Sequence, residues 1–150
     1  MEQANKILRY TKITTAIFIG LVVVADIFGV VISRYIANFW AEKYDNLSVV
    51  ILTTIFYVGT VLAYVVLFTL YKLLTNMSKD IVFDKDNTNL MKRISLACLL
   101  MGVDCMVGTI AWSGTIYLAV ICFFMTLIIL CVRAVFDKAI AMKDELDLTI

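Results

Sequence analysis

Apolar residues gather in four runs, 13–32, 47–70, 94–112 and 116–132, and polar residues are confined to the short stretches between and beyond them. Each run comes close to the roughly 20 residues that an α-helix needs to cross a hydrocarbon layer about 30 Å thick. The pattern predicts an all-α, polytopic membrane protein. It is a single domain over residues 1–150 with four transmembrane helices, a cytoplasmic loop over 76–93 and a cytoplasmic tail over 133–150. The first run exceeds the apolar core of about 7–15 residues found in signal peptides and no small-residue cleavage site follows it, so it is read as a retained helix.

Composition agrees, since 63% of the residues are hydrophobic against about 45–50% in soluble domains. The formal charge of +1 says little; the placement of the basic residues says more. Lys6, Arg9 and Lys12 precede the first run, Lys72, Lys79, Lys85, Lys92 and Arg93 lie between the second and third, and Arg133, Lys138 and Lys143 follow the fourth. Only Arg34 and Lys43 fall on the opposite side, and eleven against two is a strong positive-inside bias that places both termini in the cytoplasm. The opposite side carries Tyr35, Ile36, Phe39, Trp40 and Tyr44 at helical spacing, together with Trp112 and Tyr117. An aromatic belt at the membrane surface accounts for them, with a ligand-binding cluster as the alternative.

Within the runs a few polar residues stand out. Asp26 lies in the first and Asp104 near the middle of the third. Both helices run outward, so the carboxyls fall within about two helical turns of the same depth. One ionisable residue at the centre of a crossing costs about 2.5–3.5 kcal/mol on insertion scales, so two require a compensating arrangement. Ala97, Gly108 and Ala111 share a face with Asp104 and would let another backbone come close. Tyr57, Thr60 and Tyr64 form a stripe on the second helix; they are candidate hydrogen-bond partners for the acids, or bond to neighbouring carbonyls. Two readings stay open: a proton or cation site on Asp26 and Asp104, or a neutral, hydrogen-bonded arrangement that sets how the helices pair.

Several chemistries drop out. The chain has no His, which removes His-ligated haem and zinc, the Ser-His-Asp triad and the Cys-His pair. Cys98, Cys105, Cys122 and Cys131 lie inside apolar runs without a CxxC pair and fit small apolar fillers better than redox groups. Asp84, Asp86 and Thr88 look like the start of a calcium loop, but Asn89 stands where the sharp turn wants Gly and Ser95 where the loop wants Glu. No catalytic residue, metal or cofactor is assigned, and the chain is read as non-enzymatic. Proline is absent, where average usage would give about seven, so straight helices are expected rather than the broken ones of many transporters.

Asp84 is instead read as the N-cap of a helix that runs through Leu90, Lys92 and Arg93 into the third crossing. Beyond Arg133, Val135, Ala139, Met142 and Leu146 recur at helical spacing, with Asp137, Lys138, Lys143, Asp144 and Glu145 mainly on other faces. This is an amphipathic cytoplasmic helix that either lies on the inner membrane surface or offers a face to a partner.

The segment Phe83-Asp84-Lys85-Asp86-Asn87-Thr88-Asn89-Leu90-Met91-Lys92-Arg93-Ile94 resembles the loop of the YoaS-like family, small four-helix bacterial membrane proteins of unknown function. The tail Phe136-Asp137-Lys138-Ala139-Ile140, followed by Lys143-Asp144-Glu145-Leu146-Asp147-Leu148-Thr149-Ile150, is similar to that family's ending. Val82 departs from it, standing where the family usually has Pro. The resemblance implies a bacterial inner-membrane location and, because members are commonly encoded beside a Cro/CI-type helix-turn-helix regulator, a cytoplasmic partner of that kind. It supplies no catalytic residues.

The expectation is a protein of the lipid bilayer that senses a membrane condition or ligand and signals to a cytoplasmic transcriptional regulator, without touching nucleic acid itself. The contact residues would be Phe83, Asp84, Lys92, Arg93, Phe136, Met142, Glu145, Leu146, Asp147, Leu148, Thr149 and Ile150. A homo-oligomer is open. The alternatives are a small proton- or cation-coupled transporter using the buried acids, and an immunity protein against a membrane-active peptide using the aromatic segment 35–44.

Overall fold

A computed structural model describes residues 2–40, 46–79 and 81–147. These form four helices: α1 Glu2–Trp40, α2 Asn46–Met77, α3 Lys85–Gly108 and α4 Thr115–Asp147. Tyr44 and Lys43 of the aromatic segment, and Leu148, Thr149 and Ile150 of the tail, lie outside the described residues, as does the side chain of Asp147.

Three segments, Lys6–Trp40, Asn46–Met77 and Thr115–Leu146, are long and apolar enough to cross a membrane. The chain is therefore an all-helical membrane protein. The helices outrun their apolar runs, because neither Pro nor a Gly pair interrupts the flanking polar residues. At 33 residues, α4 is about 50 Å long and exceeds a hydrocarbon layer of about 30 Å, so it is longer than a crossing requires. α3 is less apolar than the others, since Lys92, Arg93 and Asp104 interrupt it.

The third run departs from expectation at its carboxyl end. The helix stops at Gly108 rather than reaching Trp112, and residues 109–114 form hydrogen-bonded turns. Gly108 abuts Thr115, where an added Cβ would meet the threonine side chain at 3.1–3.2 Å. The Thr109 hydroxyl donates to the Met106 carbonyl at 2.7 Å and the Thr115 hydroxyl to that of Trp112 at 2.9 Å. The first adds a donor to a carbonyl in the last turn of α3 and the second fixes the start of α4 on the preceding turn, so the chain reverses within residues 109–114.

Among the described residues the helix backbones approach one another only between chain neighbours: α1 with α2, α2 with α3, and α3 with α4. The row nevertheless curves, because side chains of all four helices line one apolar cavity of about 570 Å³. Two packed clusters lie along the row, the first of them bordering this cavity. On one side Leu73, Leu90, Met91 and Ile94 are buried together with Phe136 and Ile129 against them. On the other, Ala37, Leu52 and Ala111 are buried beside Trp112, whose ring lies 6.2 Å from that of Trp40.

Small and hydroxyl residues occupy the contacts, as close helix packing in lipid favours. Ser33, Thr115 and Thr126 are buried. The Ser33 hydroxyl donates to Gly29 O at 2.9 Å and that of Thr126 to Cys122 O at 2.9 Å, so each is satisfied within its own helix. Large apolar side chains such as Ile27, Val31, Ile110 and Leu127 are instead 64–75% exposed, the distribution expected where the surrounding solvent is hydrocarbon.

Candidate functional site

Two turns of α2, from Tyr57 to Tyr64, receive both acids. The Tyr64 hydroxyl donates to Asp26 Oδ2 at 2.7 Å, and the Tyr57 hydroxyl donates to the Asp26 backbone carbonyl at 3.3 Å. Gly29, one turn beyond Asp26, lets α1 come this close: a Cβ there would stand 2.7 Å from Phe56 Cε1 and 3.0 Å from the Tyr57 hydroxyl. The Thr60 hydroxyl donates to the Tyr57 carbonyl at 3.0 Å, within its own helix. Of the predicted polar stripe, Tyr64 reaches the carboxyl, Tyr57 the adjoining backbone and Thr60 neither.

Asp104 comes to α2 from α3. Its Oδ2 lies 3.6 Å from where a Cβ on Gly59 would stand. The carboxyl lines a cavity of about 300 Å³ with Gly59, Thr60, Met101, Cys105 and Thr115. Asp26 is absent from that lining, and each acid keeps one buried oxygen without a partner, Oδ1 of Asp26 and Oδ2 of Asp104. The two carboxyls therefore share a stretch of α2 and no hydrogen bond.

At the Lys85 end of α3 the predicted N-cap is present. Asp84 has extended backbone angles and its carboxylate accepts from the Asp86 amide at 2.7 Å. The residue that organises this region is Asn87, fully buried at 0% exposure. Its amide donates to the carbonyls of Ile81 at 2.7 Å and Val82 at 3.0 Å, and its Oδ1 accepts from Asn76 Nδ2 at 2.9 Å. One side chain thus ties the end of α2, the following loop and the start of α3. Sequence reading passed over it because the run DNTN looks like solvated loop; its signal is an amide in the first turn of a capped helix, where it can reach back to preceding carbonyls.

The predicted partner-binding residues divide into three groups. Phe83 and Phe136 face each other with ring centroids 6.0 Å apart, and Phe136 packs on the Leu73 cluster, so it serves the fold. Lys85 and Asp144 add an exposed ion pair at 3.8 Å, a kind of contact worth little in water. The tail packs inward through Phe136 and Ile140, the latter 6% exposed, while Val135, Met142 and Leu146 are 60–68% exposed; Glu145 is also exposed. Lys92 and Arg93 instead line a groove with Lys72 of α2.

A family model described as "Protein of unknown function (DUF2975)" matches residues 35–150. No curated protein and no solved structure was found to match the chain. The matched residues take in α2, α3, α4, both carboxyl-facing turns of α2 and the Asn87 junction, and on that coverage the chain belongs to the DUF2975 family of uncharacterised proteins.

Proposed function

We propose that the chain is a non-enzymatic, four-crossing membrane protein that senses a condition of the bilayer or a small ligand and passes it to a cytoplasmic partner. In this reading α3 is the fourth crossing, both termini lie inside, and the location is a bacterial inner membrane. The basic-residue bias of eleven to two supports the orientation. The observation that carries the reading is that the loop after α2 and the projecting part of α4 pack as one unit, through Phe83 on Phe136, with Val135 and Met142 exposed beside it.

A folded apolar patch in water is a docking surface in waiting. The resemblance to the YoaS-like family makes a helix-turn-helix regulator the partner to test first. With such a regulator co-expressed, the full chain is expected to retain it on purification, and Val135→Asp with Met142→Asp to lose at least tenfold of it while keeping its helical circular dichroism. Retention unchanged in the double variant would rule out this surface as the output.

A second reading, coupled transport of a proton or cation, is favoured by the unpartnered carboxyl oxygens of Asp26 and Asp104. A buried oxygen of this kind is a place for a proton or a small cation. On that reading Asp26→Asn and Asp104→Asn each abolish uptake driven by a pH or sodium gradient in proteoliposomes, whereas wild-type activity indifferent to both gradients would end it.

A further inference from the structure

The groove formed by Lys72, Lys92 and Arg93 lies apart from the Val135–Met142 surface and from the two buried acids. It has a volume of about 380 Å³, with Leu90, Leu96, Asn89 and Asp86 completing the lining. Lys72 comes from the last turns of α2, and Lys92 and Arg93 from the second and third turns of α3, so two antiparallel helices contribute to it. The apolar run 47–70 ends just before Lys72 and the run 94–112 begins just after Arg93, which puts all three cations at one level, where hydrocarbon gives way to headgroups. Among the described residues none of the three is ion-paired; the ion pairs present are Lys85 with Asp144 and Arg133 with Asp137. Asp86 lines the groove without pairing to any of them.

Three cations against the single carboxylate of Asp86 leave the groove with a net positive charge that attracts an oxyanion, and the guanidinium fork fits a phosphate in particular. A track of exposed apolar side chains leads away from the groove along α3: Leu96, Leu100 and Val103, 47–54% exposed, at i, i+4 and i+7. Phosphate chemistry at the rim with an apolar track toward the membrane interior describes a phospholipid, the headgroup in the groove and an acyl chain along the helix. We infer that Lys72, Lys92 and Arg93 form a site for the phosphate of an anionic phospholipid of the inner leaflet, clamping α2 to α3. The inference rests on α3 crossing the membrane with Lys85 inside.

The test uses the full chain in a neutral detergent, with bound lipid counted by native mass spectrometry during titration with phosphatidylglycerol, phosphatidylcholine or inorganic phosphate. Wild type is expected to prefer phosphatidylglycerol over phosphatidylcholine at least tenfold, and equimolar phosphate to leave that binding intact. Each surface cation contributes about fivefold, so Lys72→Gln, Lys92→Gln and Arg93→Gln together should lower the affinity on the order of a hundredfold. Removing three cations elsewhere, by Lys85→Gln, Lys138→Gln and Lys143→Gln, should change it less than threefold.

Should the triple groove variant lose its helical circular dichroism, Lys92→Gln alone, expected at about fivefold, carries the test. The inference is overturned by equal binding of the two lipids, by groove variants that bind as wild type, by an equal loss in the control triple, or by displacement with free phosphate, which would mark a soluble-anion site. Maleimide labelling of Lys85→Cys in intact and opened cells separates the levels. Labelling from outside overturns the membrane placement and the site together, while labelling from inside without lipid preference overturns the site alone.

Discussion

Replacing Asn87 with alanine is expected to lower the unfolding free energy in micelles by roughly 3 kcal/mol and to open the loop after α2 to protease. The side chain is fully buried and satisfies three groups at once: the carbonyls of Ile81 and Val82 and the Asn76 amide. Alanine leaves all three without their partner, and each buried polar group so orphaned costs about 1–3 kcal/mol. Ile81 is 45% exposed, so water recovers part of the loss at its carbonyl, which keeps the total toward the lower end of the sum. Asn87→Asp sharpens the comparison, since aspartate keeps the acceptor for Asn76 but has no donors for the two carbonyls. Aspartate should therefore be nearly as damaging as alanine. Thermal melting and limited proteolysis within 78–84 measure both variants; an alanine variant within about 0.5 kcal/mol of wild type would falsify the account of Asn87 as the tie between loop and helix.

The second large effect is expected at Gly29. A Cβ there would stand 2.7 Å from Phe56 Cε1, closer than side-chain atoms pack, so even alanine requires the ring to move. Gly29→Leu adds three further carbons to a contact with no room, and overpacking of this kind costs about 1–3 kcal/mol or more. Among the described residues the α1 backbone approaches only α2, so the strain that the Phe56 ring cannot relieve by moving pushes α1 away from α2. That shift breaks the Tyr64–Asp26 hydrogen bond. Gly20 on the same helix has nothing within 4 Å of an added Cβ, and Gly20→Leu should leave the melting midpoint within the roughly 0.5 kcal/mol typical of surface changes. Equal midpoints for the two leucine variants would refute the close approach at Gly29.

Much of this arrangement is legible in the residues. Hydrophobic runs of membrane-crossing length mark helices because a backbone in hydrocarbon must satisfy its own hydrogen bonds. Asp84 announces its cap because a short acid before a helical segment can accept from the first-turn amides. The stripe Tyr57, Thr60 and Tyr64 is read from periodicity, which could not say which hydroxyl would meet which acid. That depends on how helices rotate about their axes, and here Gly29 and Gly59 decide it by admitting α1 and Asp104 at different points of α2. The tail shows the same limit. Periodicity singled out Val135, Ala139, Met142 and Leu146 as a face for the membrane or a partner, and it gave no sign that Phe136 and Ile140 are the tail residues the fold packs. Asn87 escaped because a polar residue in a polar segment gives no hint of being buried until its neighbours are placed around it.

The neighbour-to-neighbour packing of the four helices also bears on how the chain is made. Each helix backbone finds its packing partner in the segment synthesised immediately before or after it, so no hairpin waits on a distant part of the sequence. As the polypeptide leaves the ribosome, α1 can pair with α2 before α3 exists. Gly102 and Gly108 of α3 then remain uncovered until Phe123 and Thr115 arrive with α4 to pack against them. The growing chain is most vulnerable in that interval, between the emergence of the third helix and the insertion of the fourth.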